Sequence, residues 1–145
     1  MKADTNNSVC VDANIILKLL VNEESSEKAH STIENLIQEG KTIILPSFAK
    51  IEVFSVIRRK EKEKELSSQK AKLALNYFQK LNFYFINENF SLLKLAYSFS
   101  KKLSLKNIYD CVYLALAKTT NSPFLTADKI FLKKAKKVYK HCLSL

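Results

Sequence analysis

Along the chain, short runs of β-branched and other apolar residues alternate with longer segments whose apolar positions recur at helical spacing. The short runs cover residues 8–12, 42–45, 83–86, 123–126 and, more weakly, 138–143. The longer ones cover residues 13–21, 24–39, 47 to about 64, 67–81, 89–103, 107–119 and 129–136. Strands separated by helices return to their neighbours through crossovers, and crossovers make a parallel sheet. The pattern therefore predicts an α/β fold, with a central parallel sheet of about five strands flanked on both faces by helices. The punctuation agrees. Ser47, Ser67, Asn89 and Asn107 stand where helix N-caps are expected. Gly40, the only glycine, follows a helical segment at a place that favours a left-handed residue, and Pro46 and Pro123 flank short strands.

Composition narrows the class. A chain of 145 residues has the size of one compact domain, and no linker, repeat or low-complexity tract divides it. The alternating charges of residues 58–65 read as the solvated end of a helix. Residues 1–7 are polar and read as a disordered extension. Residues 9–21 are apolar enough to suggest a signal core, but Asp12, Asn14 and Lys18 interrupt them and no small-x-small cleavage pattern follows. A cytoplasmic protein with no membrane segment is expected. A single glycine cannot build a P-loop, a GxGxxG dinucleotide site or a GxSxG elbow, which removes P-loop ATPases, kinases and Rossmann dehydrogenases. His30 and His141 stand alone and Cys10, Cys111 and Cys142 form no CxxC pair, so the thiols read as buried and free rather than as zinc ligands. The formal net charge of +10 favours capture of polyanions, nucleic acid first. Its source is lysine, with arginine only at Arg58 and Arg59, which suits phosphate attraction more than planar recognition of bases.

Against this basic background, four acids each stand where an apolar run hands over to a helix: Asp12, Glu52, Asp110 and Asp128. Asp12 ends the first strand and Asp128 follows the fourth. Glu52 falls in the second turn of the helix after the second strand, and Asp110 in the first turn of the helix begun at Asn107. In a parallel α/β sheet these places share the edge where the strands end, the usual position of a binding crevice. Asp12 and Asp128 could serve equally as helix caps. Glu52 and Asp110 have no such use inside apolar helical runs, where an unpaired carboxylate is costly. Three or four converging carboxylates without histidine or cysteine describe a site for a hard divalent metal, Mg²⁺ or Mn²⁺. The chemistry that follows is hydrolysis of phosphate esters by metal-activated water.

These residues also resemble a known family. Val11-Asp12-Ala13-Asn14, the Pro46-Ser47 entry to a helix bearing Ile51-Glu52-Val53, Asp110-Cys111-Val112-Tyr113-Leu114-Ala115-Leu116-Ala117, and Leu125-Thr126-Ala127-Asp128-Lys129 look like the four signatures of the PIN domain in their usual order. The resemblance runs from residue 9 to about residue 140. It implies a PIN-like Rossmannoid three-layer sandwich and a Mg²⁺- or Mn²⁺-dependent endoribonuclease that leaves a 5′-phosphate and a 3′-hydroxyl. By motif match, Asp12, Glu52, Asp110 and Asp128 would hold the metal, and Asn14 and Thr126 would be polar supports of it or its waters. The compact form looks most like the VapC-like toxins of type II toxin–antitoxin pairs. That branch implies a homodimer and a small antitoxin partner whose tail enters the acidic groove. Two details depart from the pattern: Cys111 replaces a smaller residue after the third acid, and a polar extension precedes the first strand.

RNA contact is expected from cations beside the acids. Lys129, Lys133, Lys136 and Lys137 fall at i, i+4, i+7 and i+8 of a helix starting beside Asp128, and Arg59 lies seven residues after Glu52. Tyr109 could stack on a base, and Tyr113 reads as core. Other functions stay open at this point. They are a housekeeping RNA-processing nuclease, and a module of the same fold that binds RNA or protein without cleaving. A phosphatase of the haloacid-dehalogenase kind needs a second acid two residues after the first, where this chain has Asn14.

Overall fold

The computed structural model describes residues 7–145. Five strands form its sheet: β1 (Ser8–Val11), β2 (Thr42–Pro46), β3 (Tyr84–Ile86), β4 (Phe124–Thr126) and β5 (Cys142–Ser144). Their order across the sheet is β3-β2-β1-β4-β5, and every neighbouring pair is parallel. Seven helices connect them: α1 (Ala13–Leu20), α2 (Ser26–Gln38), α3 (Ala49–Lys62), α4 (Ser68–Lys80), α5 (Phe90–Lys102), α6 (Tyr109–Thr119) and α7 (Lys129–Ala135). This is the α/β fold that the apolar pattern predicts. None of the described helices is long and apolar enough to cross a membrane.

The strand order creates a crevice. From β1 the chain builds outward through β2 and β3, then returns to lay β4 on the other side of β1. The connections leaving β1 and β4 therefore diverge, which opens the sheet edge between them, the switch point where parallel α/β sheets bind ligands. One register row runs Tyr84, Ile44, Cys10, Phe124, Cys142. Its thiols are buried and free, as the isolated cysteines suggest. Two residues further along β1 the chain reaches Asp12, whose N–H still donates to the Leu125 carbonyl at 2.9 Å.

Helix α6 explains where another acid goes. Every residue from Cys111 through Ala117 is buried, because the segment is apolar all round and packs against α5 and against β1 and β2 of the sheet. Only its two ends meet solvent. Asp110, in the first turn, is thereby carried to the sheet edge on a helix that cannot rotate without exposing its core face.

Several helix ends differ from expectation. Ser67 and Asn89 cap as predicted, accepting from the N–H groups of Lys70 and Leu92. Ser47 does not cap α3. Phe48 occupies the N-cap, and the Ser47 hydroxyl instead donates to Glu88 at 2.6 Å. Asn107 accepts from the Tyr109 N–H at 3.4 Å, but the cap position itself is Ile108. Gly40 closes α2 at φ 77, with its N–H donating to Ile37 and the Lys41 N–H to Leu36, the paired bonds of a Schellman end. Lys64, Ser104 and Asn121 close α3, α5 and α6 with the same pair of bonds and positive φ, without glycine. Of the expected disordered extension, residues 1–6 lie outside the described residues. Asn7 is described, and it holds Gly40 and Lys41 through bonds of 2.8 and 2.7 Å.

Candidate active site

Asp12 and Asp128 are both helix caps and both crevice residues, so the two roles coexist. The Asp12 carboxylate accepts from the Asn14 N–H at 3.4 Å through Oδ1 and from the Thr126 hydroxyl at 2.9 Å through Oδ2. Asp128 accepts from the Phe131 N–H at 2.9 Å, opening α7. Thr126 joins them: its hydroxyl also accepts from the Asp128 N–H at 3.1 Å and from Asn14 Nδ2 at 3.4 Å. Asn14 Oδ1 in turn accepts from the Ala127 N–H at 3.3 Å. Asn14 and Thr126 thus stitch the end of β4 to the start of α1 and fix the direction in which Asp12 points.

Glu52 and Asp110 complete the set. Glu52 lies in the first turn of α3, one turn earlier than expected because the helix starts at Ala49. Its Oε1 accepts from the Tyr113 hydroxyl at 3.0 Å. Tyr113 is 1% exposed and is core, as its apolar context indicated, but it keeps this one polar duty. Burial, then the charges of Glu52 and Asp12, push its phenol far above the ordinary range.

The electrostatics tie the four acids together. Asp12 is only 8% exposed. Burial pushes its carboxyl up from 3.8 to about 7, against the downward pull of Thr126, and the charges of Asp110 and Glu52 add to the rise. Glu52 is raised by burial and by Asp110, with Tyr113 pulling the other way. Asp110 is raised by partial desolvation and by Asp128. Among the described residues none of the four forms an ion pair, although the protein is strongly basic. Nor does any group of three or more acidic, histidine or cysteine side chains stand in metal-holding geometry there. Four oxygen donors that repel one another and lack a counter-charge fit a hard divalent cation by chemistry.

A further acid escaped sequence reasoning. Glu88, just past β3 on the same edge, accepts from the Ser47 hydroxyl and from the Phe48 N–H at 2.9 Å. Partial burial pushes it up, but these donors outweigh burial and hold it below its ordinary value. Glu88 therefore holds the start of α3 from the end of the neighbouring strand and fixes the turn that carries Glu52. Its signal in the sequence was only its place at a strand end. The basic residues differ as well. Lys129 and Lys133 are exposed on α7, but the helix ends at Ala135, so Lys136 and Lys137 sit in the following turn and the continuous stripe is broken. The turn forms because Tyr139 is drawn inward, where its hydroxyl donates to Ser122 at 2.7 Å. Arg59 is exposed two turns along α3 from Glu52.

Comparison with known proteins places this geometry. The PIN domain family profile matches residues 9–137, nearly the whole chain. The chain belongs to the PIN-domain family. Solved toxin–antitoxin structures share its fold. One is VapBC2 from Rickettsia felis, solved bound to a DNA fragment from the promoter of the pair, with a TM-score of 0.69 at 13% identity, covering 94% of this chain and 98% of that one. Another is a toxin–antitoxin complex from Klebsiella pneumoniae, with a TM-score of 0.58 at 16% identity, covering 93% and 95%. At such identities the likeness is one of fold. No curated protein matches the chain. The PIN assignment agrees with the ordered motifs around Asp12, Glu52, Asp110 and Asp128, and these four acids occupy one edge of the PIN sheet.

Proposed function

We propose that this PIN domain is a divalent-metal-dependent endoribonuclease and acts in the cytoplasm as the toxin of a type II toxin–antitoxin pair. The observation that carries the nuclease is the set of carboxylates without a counter-charge at the switch point of the sheet, with Asp12, Glu52 and Asp110 raised by burial and then by acidic neighbours. The toxin setting draws on the fold shared with the Rickettsia felis and Klebsiella pneumoniae complexes. A small antitoxin and a second copy of the chain are the partners this setting calls for.

Asp12, Glu52, Asp110 and Asp128 would hold Mg²⁺ or Mn²⁺. When bound, such an ion supplies an acidified water at neutral pH and charge stabilisation for the leaving oxygen. The chain's own residues prepare for it. Thr126 and the Asn14 N–H turn the Asp12 carboxylate toward the crevice, and Tyr113 pins Glu52. Asp110 and Asp128 are exposed at the rim, Asp128 held there as the cap of α7. Lys129 and Lys133 offset the acidic field that would otherwise repel RNA.

The test is cleavage of total RNA by the purified protein with Mn²⁺ and with EDTA, beside Asp12→Asn and Asp110→Asn. Cleavage that requires the metal and both aspartates is expected. A protein that neither cleaves RNA nor binds Mn²⁺ by calorimetry would overturn the proposal.

A further inference from the structure

Helix α3 carries Glu52 in its first turn, yet it has no cap of its own, because Phe48 stands at the N-cap position and offers no side-chain acceptor. The opening N–H groups of a helix have no partner inside it, so a first turn without an acceptor frays. Glu88 supplies the acceptor from the end of β3. Both its oxygens are engaged, Oε1 by the Phe48 N–H at 2.9 Å and Oε2 by the Ser47 hydroxyl at 2.6 Å. Beside them the Ser47 N–H donates to the Ile86 carbonyl at 2.8 Å. Phe48, the residue so held, reaches Glu52 twice. Its carbonyl accepts from the Glu52 N–H at 3.1 Å. Its ring meets Tyr113 edge-on, with centroids 5.4 Å apart, and the Tyr113 hydroxyl donates to Glu52 Oε1 at 3.0 Å. The backbone and the carboxylate of Glu52 are thus both referred to one residue, and Glu88 anchors that residue. The charge of Glu88 is not among those that raise Asp12, Glu52 or Asp110, so its reach into the crevice is mechanical.

We infer that Glu88 is a positioning residue of the metal site, setting the affinity of the crevice for a divalent cation by holding Phe48 and, through it, Glu52. The inference rests on the nuclease proposal and deepens it by adding a residue that touches neither the metal nor the RNA. A ligand that must be ordered during binding lowers affinity, and one already ordered does not. Loss of an outer partner of a metal ligand weakens metal binding by roughly 10- to 100-fold. Glu88 acts one residue further out, so Glu88→Ala should weaken Mn²⁺ binding by roughly 10-fold, the lower end of that range.

The test is calorimetric titration of the whole chain with Mn²⁺ in the absence of RNA. Glu88→Gln keeps an acceptor for the Phe48 N–H while removing the charge, and should bind nearly as the wild type does. Gly40→Ala strains the chain where φ is 77, at the opposite edge of the sheet, and should leave Mn²⁺ affinity unchanged. In a Glu52→Gln background, adding Glu88→Ala should cause no further loss, because the residue it positions is already disabled. Circular dichroism checks the fold of Glu88→Ala, and Ser47→Ala, which removes one of the two anchors, carries the same series if that variant does not fold. Equal affinity of Glu88→Ala and wild type would overturn the inference. So would an equal loss in Gly40→Ala, a loss in Glu88→Gln as large as in Glu88→Ala, or a further loss in the Glu52→Gln background. If the wild type binds Mn²⁺ in any of those cases, the metal-holding role of the four acids stands and only the positioning role falls. If the wild type binds no Mn²⁺, both fall together.

Discussion

Replacing Asp12 with asparagine should stabilise the metal-free protein, and the gain should grow with pH. The carboxyl of Asp12 is pushed from 3.8 to about 7 by burial and by its acidic neighbours. Because its folded value lies above its unfolded one, the associated stability is fully present below about pH 3.8 and is lost as pH rises through about 7. At about 1.36 kcal/mol per pH unit, the rise corresponds to about 4 kcal/mol of strain once the group is ionised in the folded state. An asparagine side chain at this position keeps the shape, can still cap α1, and can still accept from Thr126, so little is lost on the other side. Structural relaxation reduces the gain, leaving about 2–4 kcal/mol at pH 8, or roughly 5–15 °C in Tm for a chain of this size. The assay is urea and thermal unfolding of wild type and Asp12→Asn in EDTA from pH 4 to pH 8. The difference should be small at pH 4, climb through pH 7 and then level off. A pH-independent difference, or a variant less stable than wild type at pH 8, would refute the electrostatic account of the site. The same melts with Mn²⁺ supply a control. At ~100 times its dissociation constant the metal should add about 2.7 kcal/mol to the wild type, and much less to Asp12→Asn.

Three further predictions concern the frame. Glu88→Ala removes the acceptor for Ser47 and for the Phe48 N–H and should cost about 1–2 kcal/mol at pH 7. Since the folded value of Glu88 is depressed below 4.5, its contribution is present above that pH and lost as pH falls through the depressed value, opposite in sign to Asp12. Urea melts at pH 7 and pH 3 should show the penalty shrinking in acid, and an undiminished penalty would sink the argument. Lys64→Gly should stabilise by roughly 0.5–1 kcal/mol, because Lys64 closes α3 at φ 62, where a Cβ is strained. Gly40→Ala, at φ 77, should destabilise by roughly 1–2 kcal/mol; chemical denaturation reads both, and the same sign for the two would contradict the strain argument.

Much of this protein is legible without coordinates. Strand-length β-branched runs alternating with helical ones require crossovers and hence a parallel sheet, so all five strands and seven helices could be placed to within a few residues. That Asp12, Glu52, Asp110 and Asp128 share one edge of the sheet was legible for a related reason: a carboxylate where an apolar run hands over to a helix is costly unless it faces a crevice. Local pattern failed where a side chain's partner is distant in sequence. Ser47 looks like a cap, but it serves Glu88, 41 residues on. Tyr113 looks like core, and is core, yet its hydroxyl reaches Glu52 from 61 residues away. The lysine stripe followed helical periodicity past Ala135, where burial of Tyr139 bends the chain into a turn. Spacing along a chain fixes periodicity and therefore the faces of its elements. Which faces meet, which carboxylates feel one another, and how far Asp12 is driven from its ordinary proton affinity depend on burial and on contacts between distant segments, and only the packed structure decides them.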